Sequence, residues 1–186
     1  MILLKTIHGS RLSGLARPDS DWDWYTVVDD GRTRQRINGD QDKLTVSLAD
    51  FLRNVYAGEV AALCALWSPV AEIDPRWAPM FASLHPDIMG ATRKFSGAIS
   101  AFAVFGTGQR RRPAGSFDTL DLKAKRHMLR LSLFLDDLWR DGRFCPRLDA
   151  DTLRWVIQTA EFGQDEFTSE LLRTCPVSLY LPWMEA

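Results

Sequence analysis

Gly9-Ser10-Arg11-Leu12-Ser13-Gly14, followed by Ser20-Asp21-Trp22-Asp23, is the stretch from which the rest of the chain is read. It comes after ILLKTIH (residues 2–8), an apolar run that predicts a strand ending at Gly9. A strand that stops at Gly-Ser and turns into a short helix brings backbone close to a ligand. The N–H groups at such a helix start suit phosphate oxygens. WDWYTVV (22–28) predicts a second strand, and in a strand residues i and i+2 point to one face. Asp21 and Asp23 therefore share a face, with Trp22 and Trp24 on the other, expected there as core. Two carboxylates side by side are costly unless a cation lies between them, and oxygen ligands suit Mg²⁺, or Mn²⁺ in its place. Phosphoryl or nucleotidyl chemistry is what such a platform supports.

Outward from this stretch, the first third reads as strands and the remainder as helices. Asp29-Asp30-Gly31 is a turn signal, which makes residues 32–37 the expected hairpin partner of 22–28. Leu44-Thr45-Val46 is a further short strand, and Ser47, with Asp50 three residues on, caps a helix that stops near Gly58. Helices are expected at 60–67, at 75–84 opening on Pro75, and at 88–105. Residues 106–117 (GTGQRRRPAGSF) read as an exposed loop. The longest helix is expected at 119–140, then one capped by Asp149 or Asp151, then 165–174, before a tail (SLYLPWMEA) apolar enough to pack.

The combined pattern G-S-x-x-x-G-x-x-x-x-x-S-D-x-D resembles the nucleotidyltransferase superfamily that includes DNA polymerase beta. The resemblance implies that Gly9 and Ser10 hold a nucleoside triphosphate and that Asp21 and Asp23 bind the metals. It also implies a third carboxylate on a neighbouring strand. Asp42 is the first choice and Asp40 the competitor. A second motif, Asp121-x-Lys123-x-x-x-His127-x-x-Arg130-Leu131, puts Lys123, His127 and Arg130 on one helix face. Together the motifs resemble the phage and bacterial minimal nucleotidyltransferases of the RNA-ligase-associated type, over roughly residues 7–67 and 119–170. By that resemblance Lys123, His127 and Arg130 bind nucleotide. One segment departs from the pattern: Gly58-Glu59-Val60 stands where the family often has G-N-P, with Cys64 where a Glu is expected.

The expected architecture is α+β. A small mixed nucleotidyltransferase sheet with helices (1–69) is followed by a docked helical part (70–186). The expected function is Mg²⁺-dependent transfer of an NMP from an NTP to a hydroxyl of RNA, protein or a small molecule. The alternative is a catalytically inactive nucleotide- or RNA-binding regulatory module of the same fold. Lys plus Arg number 23 against 24 Asp plus Glu, a net charge of −1, which excludes a strongly basic nucleic-acid coat protein. A local cluster such as Arg110-Arg111-Arg112 remains open to RNA or triphosphate. Arg11 could reach a phosphate or stand solvated in its turn. No Walker A motif occurs, and Cys64, Cys145 and Cys175 form no C-x-x-C pair. With no signal-peptide pattern and no long apolar run, a cytoplasmic protein without membrane contact is expected.

Overall fold

A computed structural model describes residues 1–38, 41–105 and 121–174. The fold is α+β, as the sequence predicts. The chain divides into two compact units. One is Met1–Ala91 with Cys145–Leu148; the other is Thr92–Phe144 with the chain from Asp149 onward.

The first unit holds β1 (Ile2–Ile7), α1 (Gly9–Ser13), β2 (Trp22–Val28), β3 (Arg34–Asn38), β4 (Gln41–Ser47), α2 (Leu48–Tyr56), α3 (Val60–Leu66), β5 (Glu72–Ile73) and α4 (Ala78–Ala82). The strands make one sheet in the order β3-β4-β2-β1-β5. β2 and β4 run parallel, and the remaining pairs are antiparallel.

This order corrects one expectation. Residues 32–37 do not pair with β2: β3 pairs only with β4, which lies between them. Composition explains the choice. β4 carries Leu44 and Val46, whose side chains belong to the packed face, so it takes the inner place. The polar β3, RQRIN, is exposed at every residue and takes the edge. A second correction concerns the helix expected at 75–84. It spans only Ala78–Ala82, with Pro79 rather than Pro75 in its first turn.

The core of this unit lies on one face of the sheet. Register aligns Leu4 with Val27 with Val46, and Thr6 with Tyr25 with Leu44. Leu4, Val27, Val46 and Tyr25 are all buried. Phe51 of α2 meets the Tyr25 ring at 6.1 Å and the Phe81 ring at 5.6 Å, both edge-to-face. α2 starts where Ser47 Oγ accepts from the Asp50 N–H. It ends in a Schellman turn: Glu59 N–H donates to Asn54 O at 2.9 Å and Gly58 N–H to Val55 O at 3.0 Å. Leu148, far along the chain, donates its N–H to Ser13 O at 3.4 Å within this same unit.

α5 (Ile88–Phe105) begins in the first unit and continues in the second, which also holds α6 (Leu122–Asp141), α7 (Ala150–Thr159) and α8 (Gln164–Thr174). Asp121 caps α6 by accepting from Ala124 N–H at 2.7 Å, and Asp149 caps α7 through two N–H groups. The core here is aromatic: Phe144 stacks on Phe134 at 4.6 Å and meets Phe95 edge-on at 5.6 Å. Trp139 donates its indole N–H to Thr92 Oγ1 at 2.9 Å. Among the described residues no helix is long and apolar enough to cross a membrane. Asp40, Arg110, Arg111, Arg112, the loop at 106–117 and the tail lie outside the described residues.

Candidate functional site

β1 ends at Ile7, and His8 takes the N-cap position of α1, its Nδ1 accepting the Gly9 N–H. That amide, expected to face a phosphate, is thus engaged by the preceding imidazole. Gly9 serves instead through its missing side chain. Its φ is +65°, and an added Cβ would lie 3.3 Å from Cγ of Asp23 and closer still to Oδ2. Only glycine lets the turn and this carboxylate approach so closely. A backbone hydrogen bond from His8 N–H to Asp23 O, 2.8 Å long, fixes the same approach.

Asp23 is the second residue of β2, and its register partner on the parallel strand β4 is Asp42. Register neighbours project to one side of a sheet. The two carboxylates therefore stand together at the end of the face that Tyr25 and Val27 pack. Asp42 was expected at the entry of a strand beside the Asp23 strand, and it is the second residue of β4, which pairs with β2. Its Oδ2 accepts from Gln35 Nε2 at 2.5 Å, while Oδ1 is buried with no hydrogen-bond partner among the described residues. A buried carboxylate oxygen left without a donor is costly, and a bound cation or a water relieves it. Asp21 precedes β2 and is exposed. Among the described residues no three His, Cys, Asp or Glu side chains are gathered as a closed metal-binding group. The donor set of Asp23 and Asp42, all carboxylate oxygen with one oxygen orphaned, nevertheless suits a hard divalent cation.

Ser10 is the second residue of α1 and half-buried. Ser13 Oγ donates within the same turn, 3.3 Å to Gly9 O and 3.2 Å to Ser10 O, so the short helix is bound internally. Arg11 does something neither sequence alternative anticipated. Its guanidinium donates to the backbone carbonyls of Ser20 and Asp21 and lies 4.1 Å from the Trp22 ring centre. It holds the chain leading into the Asp21–Asp23 pair against α1. Trp22 also departs from expectation: it is 39% exposed, not a core residue.

The three basic residues of α6 differ in environment although their spacing puts them on one face. Lys123 is exposed, while His127 and Arg130 are buried. The His127 ring stacks on Phe102 at 5.0 Å, and its Nδ1 has no hydrogen-bond partner among the described residues. Burial, with the charges of Arg130 and Lys123 behind it, pushes its pKa down to about 3. His127 is neutral at pH 7 and can offer a hydrogen bond but not a charge. Lys125 is equally buried, donating to Phe162 O at 2.7 Å and lying 5.1 Å from the Phe167 ring. Nothing in the sequence distinguished it from the neighbouring lysine and arginine.

The His127 shift carries a stability prediction. Below pH 6.5 the unfolded chain takes up a proton that the folded chain refuses until about pH 3. Stability therefore falls with pH across that window, at about 1.4 kcal/mol per unit at the steepest. Replacing the ring by an uncharged amide, His127→Gln, removes this loss. Between pH 7 and pH 5 the wild type should lose about 2 kcal/mol relative to the variant. Urea unfolding of both proteins at the two pH values measures it, and an unchanged difference overturns it.

No family model and no curated protein matches the chain, so the site's chemistry rests on its own residues.

Proposed function

We propose that the chain is a divalent-cation-dependent nucleotidyltransferase that moves an NMP from an NTP to an acceptor hydroxyl. The observation that carries this is the juxtaposition of Gly9, Asp23 and Asp42. A Gly-Ser turn closes onto a carboxylate that is in register with a second carboxylate, one oxygen of which is buried without a donor. Asp23 and Asp42 would hold the cation, with Asp21, two residues before Asp23 and exposed, as the third ligand the reading calls for. When bound, Mg²⁺ or Mn²⁺ supplies neutralisation of the charge on the triphosphate oxygens.

The chain's own residues do the rest. The Ser10 hydroxyl donates a hydrogen bond to a phosphate oxygen. Gly9 keeps the turn low enough for the phosphates to reach Asp23. Arg11 holds the Asp21–Asp23 segment to α1, so the carboxylates are positioned before substrate arrives. Asp42 takes the proton of the acceptor hydroxyl as its oxygen bonds to the α-phosphorus. The α–β phosphoanhydride bond breaks, and pyrophosphate leaves with the electron pair. The acceptor is an RNA end, a protein side chain or a small molecule.

A non-catalytic nucleotide- or RNA-binding module of the same fold is the second reading. What favours it is that Asp21, Asp23 and Asp42 do not close into a ready three-ligand group. Release of pyrophosphate and transfer of label from α-labelled NTPs, with RNA and cell lysate as acceptor sources, tests both. Ser10→Ala removes one hydrogen bond to a charged group, so NTP binding should weaken by about tenfold. Asp21→Ala should be far worse. Turnover equal to wild type in Asp21→Ala sinks the transfer mechanism. A thermal shift with NTP that requires the divalent cation and is lost in EDTA supports a competent site.

A further inference from the structure

Strand alternation gives the sheet a second face. With Asp23, Tyr25 and Val27 on the packed side, Trp22 and Trp24 project to the other. The rings of Trp22 and Trp24 are near-parallel, at 13° with centres 6.1 Å apart. A cation flanks each: Arg11 lies 4.1 Å from the Trp22 centre, and Lys5 Nζ lies 4.7 Å from that of Trp24. Register extends the face sideways, placing Lys43 beside Trp24 and Arg36 beside Lys43. Lys43 and Arg36 are exposed, as is Arg34 one row along the same edge strand. The acid among these positions is Glu72, paired with Lys5. In a chain whose net charge is −1, this is a local concentration of positive charge around two aromatic rings.

We propose that this open face binds single-stranded RNA. Arg11 and Lys5 already lie over the two rings, but Trp22 is 39% exposed and offers an aromatic surface to an unpaired base, which a duplex does not present. The line of Arg34, Arg36 and Lys43 complements a phosphate backbone laid across the strands. Between the charges the register places neutral hydrogen-bonding side chains, with Asn38 beside Gln41 and Thr45 beside Thr26. Such groups meet the 2′-hydroxyls that distinguish RNA from DNA. A protein partner is the competing occupant, since Trp and Arg are enriched at protein interfaces too, and absence of oligonucleotide binding would point to it. The packed face holds Asp23 and Asp42, so the inference stands apart from nucleotidyl transfer.

Fluorescence anisotropy of a labelled oligouridine about a dozen nucleotides long, in EDTA and without nucleotide, tests it independently of any turnover. The full-length protein should bind the oligouridine more tightly than oligothymidine of equal length. Trp22→Ala should weaken binding by about tenfold. The double charge reversal Arg36→Glu with Lys43→Glu, at two exposed positions where folding is not at stake, should lower the salt slope by about 1.4 in log–log units. Absence of binding, equal affinity for the DNA, or a salt slope unmoved by the charge reversal overturns the proposal.

Discussion

Asp23→Asn should remove NMP transfer, by roughly a thousandfold or more, while leaving the protein folded. The substitution keeps the size of the side chain and deletes the negative charge that faces Gly9 and stands in register with Asp42. If the charge of this pair organises the triphosphate, its loss is felt in the transition state, where about 4 kcal/mol corresponds to a thousandfold in rate. Asn keeps the shape of the carboxylate and can still accept hydrogen bonds, so the fold should hold. The hydrogen bond from His8 N–H uses the Asp23 backbone carbonyl, which the variant retains. Two carboxylates on adjacent strands also repel, so removing one charge relieves strain in the cation-free protein. The melting temperature should stay within about 4 °C of wild type or rise. Label transfer and thermal denaturation of the same preparation separate the outcomes. Lost stability together with lost transfer would make Asp23 a structural residue, and full activity would end the metal-platform reading.

Gly58→Ala should be the most damaging single methyl group in the first unit. Gly58 follows α2 at φ +75°, the conformation its Schellman turn requires. An added Cβ would lie 2.5 Å from the Ala91 Cβ and closer still to that residue's N and Cα. Backbone cannot give way as a flexible side chain can. Left-handed strain of about 1–2 kcal/mol adds to overpacking of about 1–3 kcal/mol, for a loss of roughly 2–5 kcal/mol. Gly97 in α5 is the control: an added Cβ there meets nothing within 4 Å. Gly97→Ala should stabilise by about 0.5–1 kcal/mol through helix propensity. Urea unfolding of the two variants should therefore give shifts of opposite sign. A Gly58→Ala protein as stable as wild type would mean that α2 and the start of α5 can separate without cost.

The place of Asp23 on the packed face was legible because strand alternation is local, but β2 starts at Trp22, so the alternation that was to put Asp21 on the same face stops one residue short of it. Asp42 came from the resemblance, and its register with Asp23 depends on a parallel pairing that no local signal encodes. The same non-local choice misled the reading of β3, since a turn at Asp29-Asp30-Gly31 announces a reversal but not which strand fills the gap. Trp22 and Trp24 were misjudged for a related reason. Apolar bulk suggests a core, but which face of a sheet is packed is decided by helices elsewhere in the sequence. On α6, the spacing of Lys123, His127 and Arg130 fixed their shared face correctly. Burial along that face is unequal because Phe102 covers His127, and Phe102 belongs to another helix. Lys125 shows the limit most plainly, for its anchor is a carbonyl 37 residues away.

The return of the chain at Cys145–Leu148 bears on how this protein can be cut. A fragment ending at Ala91 would contain every strand of the sheet and look complete on paper. It would lack Leu148, whose N–H donates to Ser13 O of α1, the helix that carries Ser10 and Arg11. Dissection by truncation would remove that bond together with Lys123, His127 and Arg130, so silence in such a fragment would not report on the chemistry of Asp23 and Asp42. The gene is better probed by internal substitution than by trimming.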